Sequence, residues 1–575
     1  MDSLYLKISS SPKMLSSCCQ APYYWNKHKS NLSFTRITCS RSDSERAAHA
    51  SSVSAITGGT SRVVTPDSTV SDKSLAIPAA VPEAPSGITG IGIVKFLHGK
   101  NYFITGATGF LGKVFLEKLL RSTPTTGKIY LLINAENKEA ARMRLQSEII
   151  DSELFVHLKQ MYGDSYNDVM MKKLVPIVGD TSKASLGMDA DCAEEIEKEV
   201  DVIVHSAANT VFDARYDVSI DVNIKGSYNL LSLAKLCKKL KVFVHVSTAY
   251  ANGEREGIII EKPLRMGDSV EAAGCDGGLS SFEALDVDAE MKLASSVAAS
   301  TEKDMVTQKM KELGLQRAKL YGWRNTYEFT KAMAEMIIDR FRGDIPVVIM
   351  RPTVVESVLG EPAPGWMQGN RMVDPLIISY GKGHLHGFLT SPDAILDVIP
   401  ADIVANAMLA AMAKHGQKTK PSLNVYHVAS SVVNPLSVGD IFKYAHKYFI
   451  GNPICGRMRV NEMQYLSSLE NFKSYMVQHE LNQSAIKTAA KFNSSPEGLK
   501  AAQKKKIEHF LHLAKIYEPY SFYKGRFDSS NATKLMNEMS NEERRKFRID
   551  VKSLDWEDYF VNVHVPGLIK YVLKK

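Results

Sequence analysis

No stretch of about 18 or more consecutive apolar residues occurs in the 575-residue sequence, which argues against a membrane-spanning helix and leaves any membrane contact peripheral. Cysteine is scarce: seven residues, with Cys18 and Cys19 the only adjacent pair and no CxxC. That spacing offers no zinc site and no disulfide ladder, and an odd, scattered set points to free thiols in a reducing compartment. Acid is nearly missing from the amino terminus, where Asp2 is the only carboxylate before Asp43, against Lys7, Lys13, Lys27, Lys29, Arg36 and Arg41. Rich in Ser and Thr and without the apolar core of a secretory signal, this leader has the composition of an organelle transit peptide. Ile37-Thr38-Cys39-Ser40 is similar to a plastid processing site, and Ser42 to Ser86 reads as a disordered linker. Residues 1–80 are thus set apart as transit peptide and linker, the alternative being a disordered terminus with no address.

What remains is ordinary globular composition, 44% hydrophobic and 23% charged, long enough for two domains and a tail. The net charge of +8 favours an acidic partner or simply reflects basic termini, and does not indicate nucleic acid. Oligomeric state is not legible.

The stretch from Lys100 to Lys113, KNYFITGATGFLGK, organises the rest. Tyr102 to Thr105 is a short β-prone run, and Val114 to Leu120 carries apolar residues at helical spacing. Between them lies Gly106-Ala107-Thr108-Gly109-Phe110-Leu111-Gly112. Gly106 allows the turn, Gly109 lets backbone approach a pyrophosphate, and Gly112 lets the helix pack on the strand, with the helix N-terminus facing the phosphates. A tight turn with no ligand is the other reading of three glycines alone.

Lys128 to Ile133 reads as a second strand and places Asn134 where an adenosine ribose is recognised. An acid there favours NAD; neutral Asn134, followed by Lys138, Arg142 and Arg144, favours NADPH, although these basic residues also suit a solvated helix face. Further strands end at Asp180, at Ala207-Ala208 and at Ser247-Thr248. Strand alternating with helix predicts an α/β fold, a Rossmann-type doubly wound parallel sheet with ligands outside the carboxyl ends of its strands. His205, inside an apolar run, is expected to be a packed strand residue and not a base.

The chemistry is expected at Tyr327 and Lys331, which share one helix face as i and i+4. A tyrosine with an ordinary pKa of about 10 is a poor acid at neutral pH, and a cation one turn away favours the phenolate. Thr248, or Ser247, adds a hydroxyl donor to the same substrate oxygen. An exposed helix face is the alternative for a lone Tyr-x-x-x-Lys.

Together these residues resemble the extended short-chain dehydrogenase/reductases. The match narrows through GATGFLGK, VGD at Val178 to Asp180, HSAA at His205 to Ala208, HVSTAYANG from His245, YGWRNTYEFTKAMAE from Tyr321, RPTVVES from Arg351 and DVIPADIVANA from Asp397. Residues 90 to 575 are similar to the fatty acyl reductases, in their plant, plastid-directed, male-sterility-type branch. The resemblance implies NADPH-dependent reduction of a fatty acyl thioester, on acyl carrier protein or coenzyme A, to a primary alcohol by way of the aldehyde. Wax or pollen-wall precursors are the implied products and the plastid stroma the implied location. It also implies Pro352 beside the cofactor, a reductase domain over 90–435, and a smaller, mainly helical C-terminal domain over 437–575. A reductase that stops at aldehyde, or a sensor that binds NADPH without catalysis, are the alternatives. Two positions depart from the family pattern: Asn134 where many members carry arginine, and Arg324 where proline is common.

Between Gly253 and Tyr321 lies an insertion, acidic from Glu271 to Glu290, that suits a lid or substrate wall or a plain surface excursion. From about residue 360 the sheet pattern fades, and Phe527, Leu535, Phe547, Trp556, Tyr559 and Leu568 are expected in the core of the C-terminal part, contacts to the acyl chain being the alternative for the aromatic ones.

Overall fold

Apolar runs too short for helices form a parallel sheet of seven strands. They are β1 (Tyr102–Thr105), β2 (Ile129–Ile133), β3 (Leu174–Val178), β4 (Val202–His205), β5 (Val242–Val246), β6 (Val347–Pro352) and β7 (Leu423–Val428). The order across the sheet is β7-β6-β5-β4-β1-β2-β3. This computed structural model describes residues 89–270, 284–418, 420–454, 460–490 and 496–575, with backbone alone for 482–490 and 496–500. The leader, the linker and the acidic stretch 271–283 lie outside the described residues.

Strands β1, β2, β4 and β6 are buried at every position because helices cover both faces, and this is why they read as continuous apolar runs without alternation. The chain builds outward from β1 to β3, then returns to lay β4 on the other side of β1. That reversal opens a crevice at the carboxyl ends of β1 and β4, where a doubly wound sheet binds its ligand. Pairing sets Thr105 beside His205, and His205 beside His245, on three adjacent strands.

The sheet does not end where its pattern fades. β7 pairs with β6 along its whole length, after the almost wholly buried helix Ala401–Gly416. Sequence periodicity lost it because the chain between β6 and that helix holds only three-residue strands, such as Val354–Glu356 and Gly387–Leu389, and one short helix, Asp374–Gly381.

The C-terminal part is mainly helical, with Leu469–Ala490, Pro496–Ser521, Ser530–Asn537 and Asn541–Lys546. It is knitted into the sheet domain. Gly525–Phe527 pairs with Gly257–Ile259, and the Glu543 carboxylate accepts from the backbone N–H groups of Ile91, Gly92 and Ile93 at 2.7–2.9 Å. Phe527, Leu535, Phe547, Trp556, Tyr559 and Leu568 are all buried in the core shared with one sheet face. Among the described residues no helix is long and apolar enough to cross a membrane.

Candidate active site

The glycine loop has the form its spacing predicts. Gly106 holds a φ of +76°, and a Cβ there would meet the backbone N of Ala207 at 2.6 Å, so the turn and the close approach of β4 both require glycine. A Cβ on Gly112 would collide with the Gly106 carbonyl, which is how the helix Phe110–Ser122 reaches the strand. Gly109 is exposed at the N-cap of that helix and makes no side-chain cap, leaving first-turn N–H groups for an anion. This cradle fits a dinucleotide pyrophosphate. Thr108 and Leu111 are half-buried at its rim. Phe110 is buried against Trp366, ring centroids 5.6 Å apart, with the Arg371 guanidinium 5.0 Å from its ring, so it holds the loop in place.

At the end of β2, Asn134 is exposed and its amide lies 3.4 Å from Asp180 Oδ2. The other Asp180 oxygen accepts from the Ser182 N–H and hydroxyl at 2.9 and 2.8 Å. Arg144 donates to the Asn134 carbonyl at 2.7 Å while Glu148 takes its Nε at 2.6 Å. Arg142 is exposed on the same helix, and Lys138 pairs with Asp189 at the surface. Ala207 and Ala208 are half-exposed at the end of β4.

Asn325 caps the helix Thr326–Phe341 through the Glu328 N–H at 3.0 Å, and Trp323 ties its start to the Ala251 carbonyl at 2.8 Å. On this helix Lys331 is buried, its ammonium 2.6 Å from the Val246 carbonyl at the end of β5. Burial pushes that ammonium down to about 8, with Glu335 opposing the shift. Below it lie two neutral imidazoles. Burial, reinforced by Lys331, pushes His205 down to about 3 and His245 well below its usual value. His205 bonds Thr105 Oγ1 at 2.9 Å and Ser227 Oγ at 3.2 Å, so it is a packed strand residue.

Thr248 is buried just past β5, with Oγ1 accepting from the Tyr250 N–H at 3.3 Å and lying 3.5 Å from the Pro352 carbonyl. Ser247 is buried too, and its hydroxyl has no hydrogen-bond partner among the described residues. Tyr327 is half-buried and stacks on Phe212 at 6.0 Å. Lys331, Thr248 and Pro352 therefore meet at the carboxyl ends of β5 and β6. Tyr327 lies one helical turn from Lys331, on the same face.

Residues 104–408 match the NAD-binding family model described as male sterility protein, and residues 494–575 match the Sterile model of the same description. The chain belongs to the male sterility protein family. It is 50% identical over 495 residues to "Fatty acyl-CoA reductase 2, chloroplastic" of Arabidopsis thaliana, covering 84% of this chain and 80% of that one. With the "Alcohol-forming fatty acyl-CoA reductase" of Simmondsia chinensis it shares 40% identity over 496 residues, 84% of this chain and 99% of the other. Among solved structures, the terminal R domain of the myxalamid PKS-NRPS pathway superposes with a TM-score of 0.53 at 16% identity, covering 82% of this chain and 91% of that domain. That likeness carries the fold. The family model over 104–408 is a NAD-binding one, and the cradle described above has the form such a cofactor needs.

The site of this family member also contains groups that its sequence motifs do not mark. Arg324, outside the Tyr–Lys pair, is nonetheless buried, with its guanidinium 4.3, 4.8 and 5.1 Å from the rings of Tyr523, Tyr520 and Tyr250. Its Nε donates to Glu328 at 3.0 Å. Tyr520 also stacks on Phe212, at 5.6 Å, so Tyr327, Phe212 and Tyr520 form a column. The one available signal was the spacing Tyr517-x-x-Tyr520-x-x-Tyr523, of which Tyr517 and Tyr520 lie on the helix Pro496–Ser521 and Tyr523 two residues past its end. Asn223, in a π-helical turn, clamps the loop after β4, bonding Asn209 N–H and carbonyl at 2.8 and 3.1 Å and Thr330 at 2.9 Å. Glu356 of the RPTVVES motif forms a buried cluster with Asp374 and His564, which no motif marks, His564 Nε2 lying 3.1 Å from Asp374. Burial and the neighbouring Asp374 raise the Glu356 carboxyl well above its usual range. The acidic insertion continues as helices Val287–Ser300 and Val306–Leu320, where Glu290 takes Tyr216 at 2.8 Å and pairs with Arg317.

Proposed function

We propose that this chain reduces a long-chain fatty acyl thioester to the primary alcohol with NADPH, through the aldehyde. The observation that carries the reading is Lys331 held on the Val246 carbonyl, which sets the Tyr327 face of its helix at the strand end bearing Thr248. When bound, the nicotinamide supplies hydride, once to the thioester and once to the aldehyde. The hydroxyls of Tyr327 and Thr248 hold the carbonyl oxygen and stabilise its negative charge as it develops. In the first round the tetrahedral oxyanion collapses and expels the thiolate, leaving aldehyde; in the second the Tyr327 phenol gives its proton to the alkoxide. Lys331 orients the nicotinamide ribose and steadies the phenolate. Ser247, with its unpartnered hydroxyl, is the alternative donor.

NADPH is preferred over NADH because Asn134 leaves room for a 2′-phosphate and Arg144 is anchored beside it. The basic leader directs the chain to the plastid, where the acyl group arrives on acyl carrier protein, a small acidic partner that the net charge of +8 favours. Product analysis after reaction of hexadecanoyl thioester with excess NADPH tests the reaction: alcohol supports it, accumulated aldehyde limits it to one reduction, and no NADPH oxidation refutes it. kcat/KM for hexadecanoyl on acyl carrier protein against coenzyme A tests the carrier, a strong coenzyme A preference overturning it.

A further inference from the structure

Beyond the strand ends lies a narrow, apolar cavity of about 60 Å³ that opens toward solvent, between the sheet domain and the C-terminal helices. Val354, Leu376, Phe388, Phe442, Tyr517 and Tyr520 are among the residues that line it. Two independent paths join it to the reacting residues. Val354 lies two residues past Pro352, whose carbonyl faces Thr248 Oγ1 at 3.5 Å. On the other side, Tyr520 belongs both to the cavity wall and to the ring column that ends at Tyr327.

The tyrosine and threonine hydroxyls of the wall are already committed. Tyr517 donates to the Met372 carbonyl at 2.6 Å and Tyr520 to Glu328 at 2.5 Å, while the Thr390 hydroxyl faces the carbonyls of Ser391 and Ser521 at 3.3 and 3.4 Å. A ligand with hydrogen-bonding groups along its length would find no partners in these hydroxyls and would lose its hydration on entering. A hydrocarbon loses nothing polar and gains by leaving water.

We infer that this cavity takes the hydrocarbon chain of the acyl substrate, with Tyr520 at its junction with the catalytic groups and Leu376, Phe388 and Phe442 setting the chain length accepted. The inference rests on the acyl-reductase reading and deepens it. It also accounts for why a C-terminal segment is built into a reductase whose cofactor and hydroxyl donors lie in the sheet domain: the segment supplies Tyr517 and Tyr520, part of the wall.

Hexadecanoyl-CoA with a photoreactive diazirine at its methyl end, irradiated with the full chain and mapped by mass spectrometry, reads the position directly. Label on the peptides that carry Leu376, Phe388 or Phe442 is the expected result, and label confined to other segments overturns the assignment. As a second readout, Leu376→Trp fills the cavity. The ratio of kcat/KM for hexadecanoyl over decanoyl thioester should then fall at least about tenfold, the scale on which apolar pockets discriminate a few methylenes. Phe442→Ala should move the ratio the other way, toward longer chains. Ratios unchanged in both variants overturn the proposal. Labelling at these residues without NADPH oxidation by any acyl thioester would leave the cavity standing and sink the reductase reading. Turnover with the label elsewhere would sink the cavity alone.

Discussion

The Tyr520 hydroxyl donates to Glu328 Oε1 at 2.5 Å, a bond between residues 192 apart in sequence. Burial, together with that carboxylate, holds the Tyr520 phenol well above its usual pKa, so it stays a donor. Glu328 lies one residue after Tyr327, and its second oxygen takes Arg324. The C-terminal helix is thereby fastened to the turn that starts the helix of Tyr327 and Lys331. Arg324 offsets the buried Glu328 charge, and three tyrosine rings surround its guanidinium in place of water.

Arg324→Ala is expected to destabilise the fold by about 3–5 kcal/mol, because Glu328 is left buried without its cation. Tyr520→Phe removes one hydroxyl and should cost less, about 1–3 kcal/mol. In Tyr520→Phe the expected kinetic signature is a lower kcat/KM for acyl thioester with an unchanged NADPH dissociation constant. Urea melts and fluorescence titration of NADPH check the two parts; a variant of wild-type kinetics would separate this contact from catalysis.

A pH dependence is expected from Lys331. Its ammonium, pushed down to about 8 by burial, loses its proton as pH rises through that value. Turnover measured at saturating NADPH is therefore expected to fall above about pH 8, since the neutral amine no longer favours the phenolate. Stability runs the opposite way. An unfolded lysine titrates at about 10.4, so between about pH 8 and 10 the unfolded chain binds the extra proton and this group's contribution to stability rises with pH. Lys331→Met should be nearly inactive, and its Tm relative to the parent should be highest near pH 7 and decline toward pH 10.

Glu335 stands one further turn along the same face and forms a buried ion pair with Arg351 of β6, both side chains fully inaccessible. Its charge raises the Lys331 pKa. Glu335→Gln should consequently move the alkaline limb of the pH–rate profile to lower pH, and cost about 3–5 kcal/mol because Arg351 is left unpaired. A limb that stays in place would show that Lys331 does not set it.

The parts legible in the sequence are those with local causes. Gly106 and Gly112 are fixed by a turn and a packing contact a few residues apart, and Tyr327 with Lys331 by helical periodicity. Strands β1 to β5 announce themselves as apolar runs. β6 was readable only as the motif beginning at Arg351, and β7 is separated from it by a segment of very short strands. Arg324 illustrates the limit more sharply: its neighbours in sequence give no reason for its burial, because the rings that surround it come from Tyr250, Tyr520 and Tyr523. Tyr517 and Tyr520 belong to the cavity for the same reason, while the aromatic positions singled out further along the chain are core.

Cofactor choice provides the last prediction. Arg144 is fixed at the end of β2 by three bonds, from Nη1 to the Asn134 carbonyl at 2.7 Å and from Nε and Nη2 to the two Glu148 oxygens at 2.6 and 3.2 Å, so little side-chain freedom is lost when it meets an anion. These bonds use three of the five guanidinium N–H groups, which leaves one N–H on each Nη for a 2′-phosphate. Asn134 itself is neutral and tethered to Asp180, so it neither repels that phosphate nor competes with Arg144 for it. Arg144→Ala is thus expected to lower kcat/KM for NADPH by about tenfold or more, about 1.4 kcal/mol per factor of ten. The same variant should leave the NADH value within about twofold, because NADH lacks the phosphate. Steady-state kinetics with both cofactors on one acyl thioester make the comparison. Equal losses with the two would make Arg144 a structural residue of the β2 turn and move the phosphate contact to Arg142, which is exposed on the same helix.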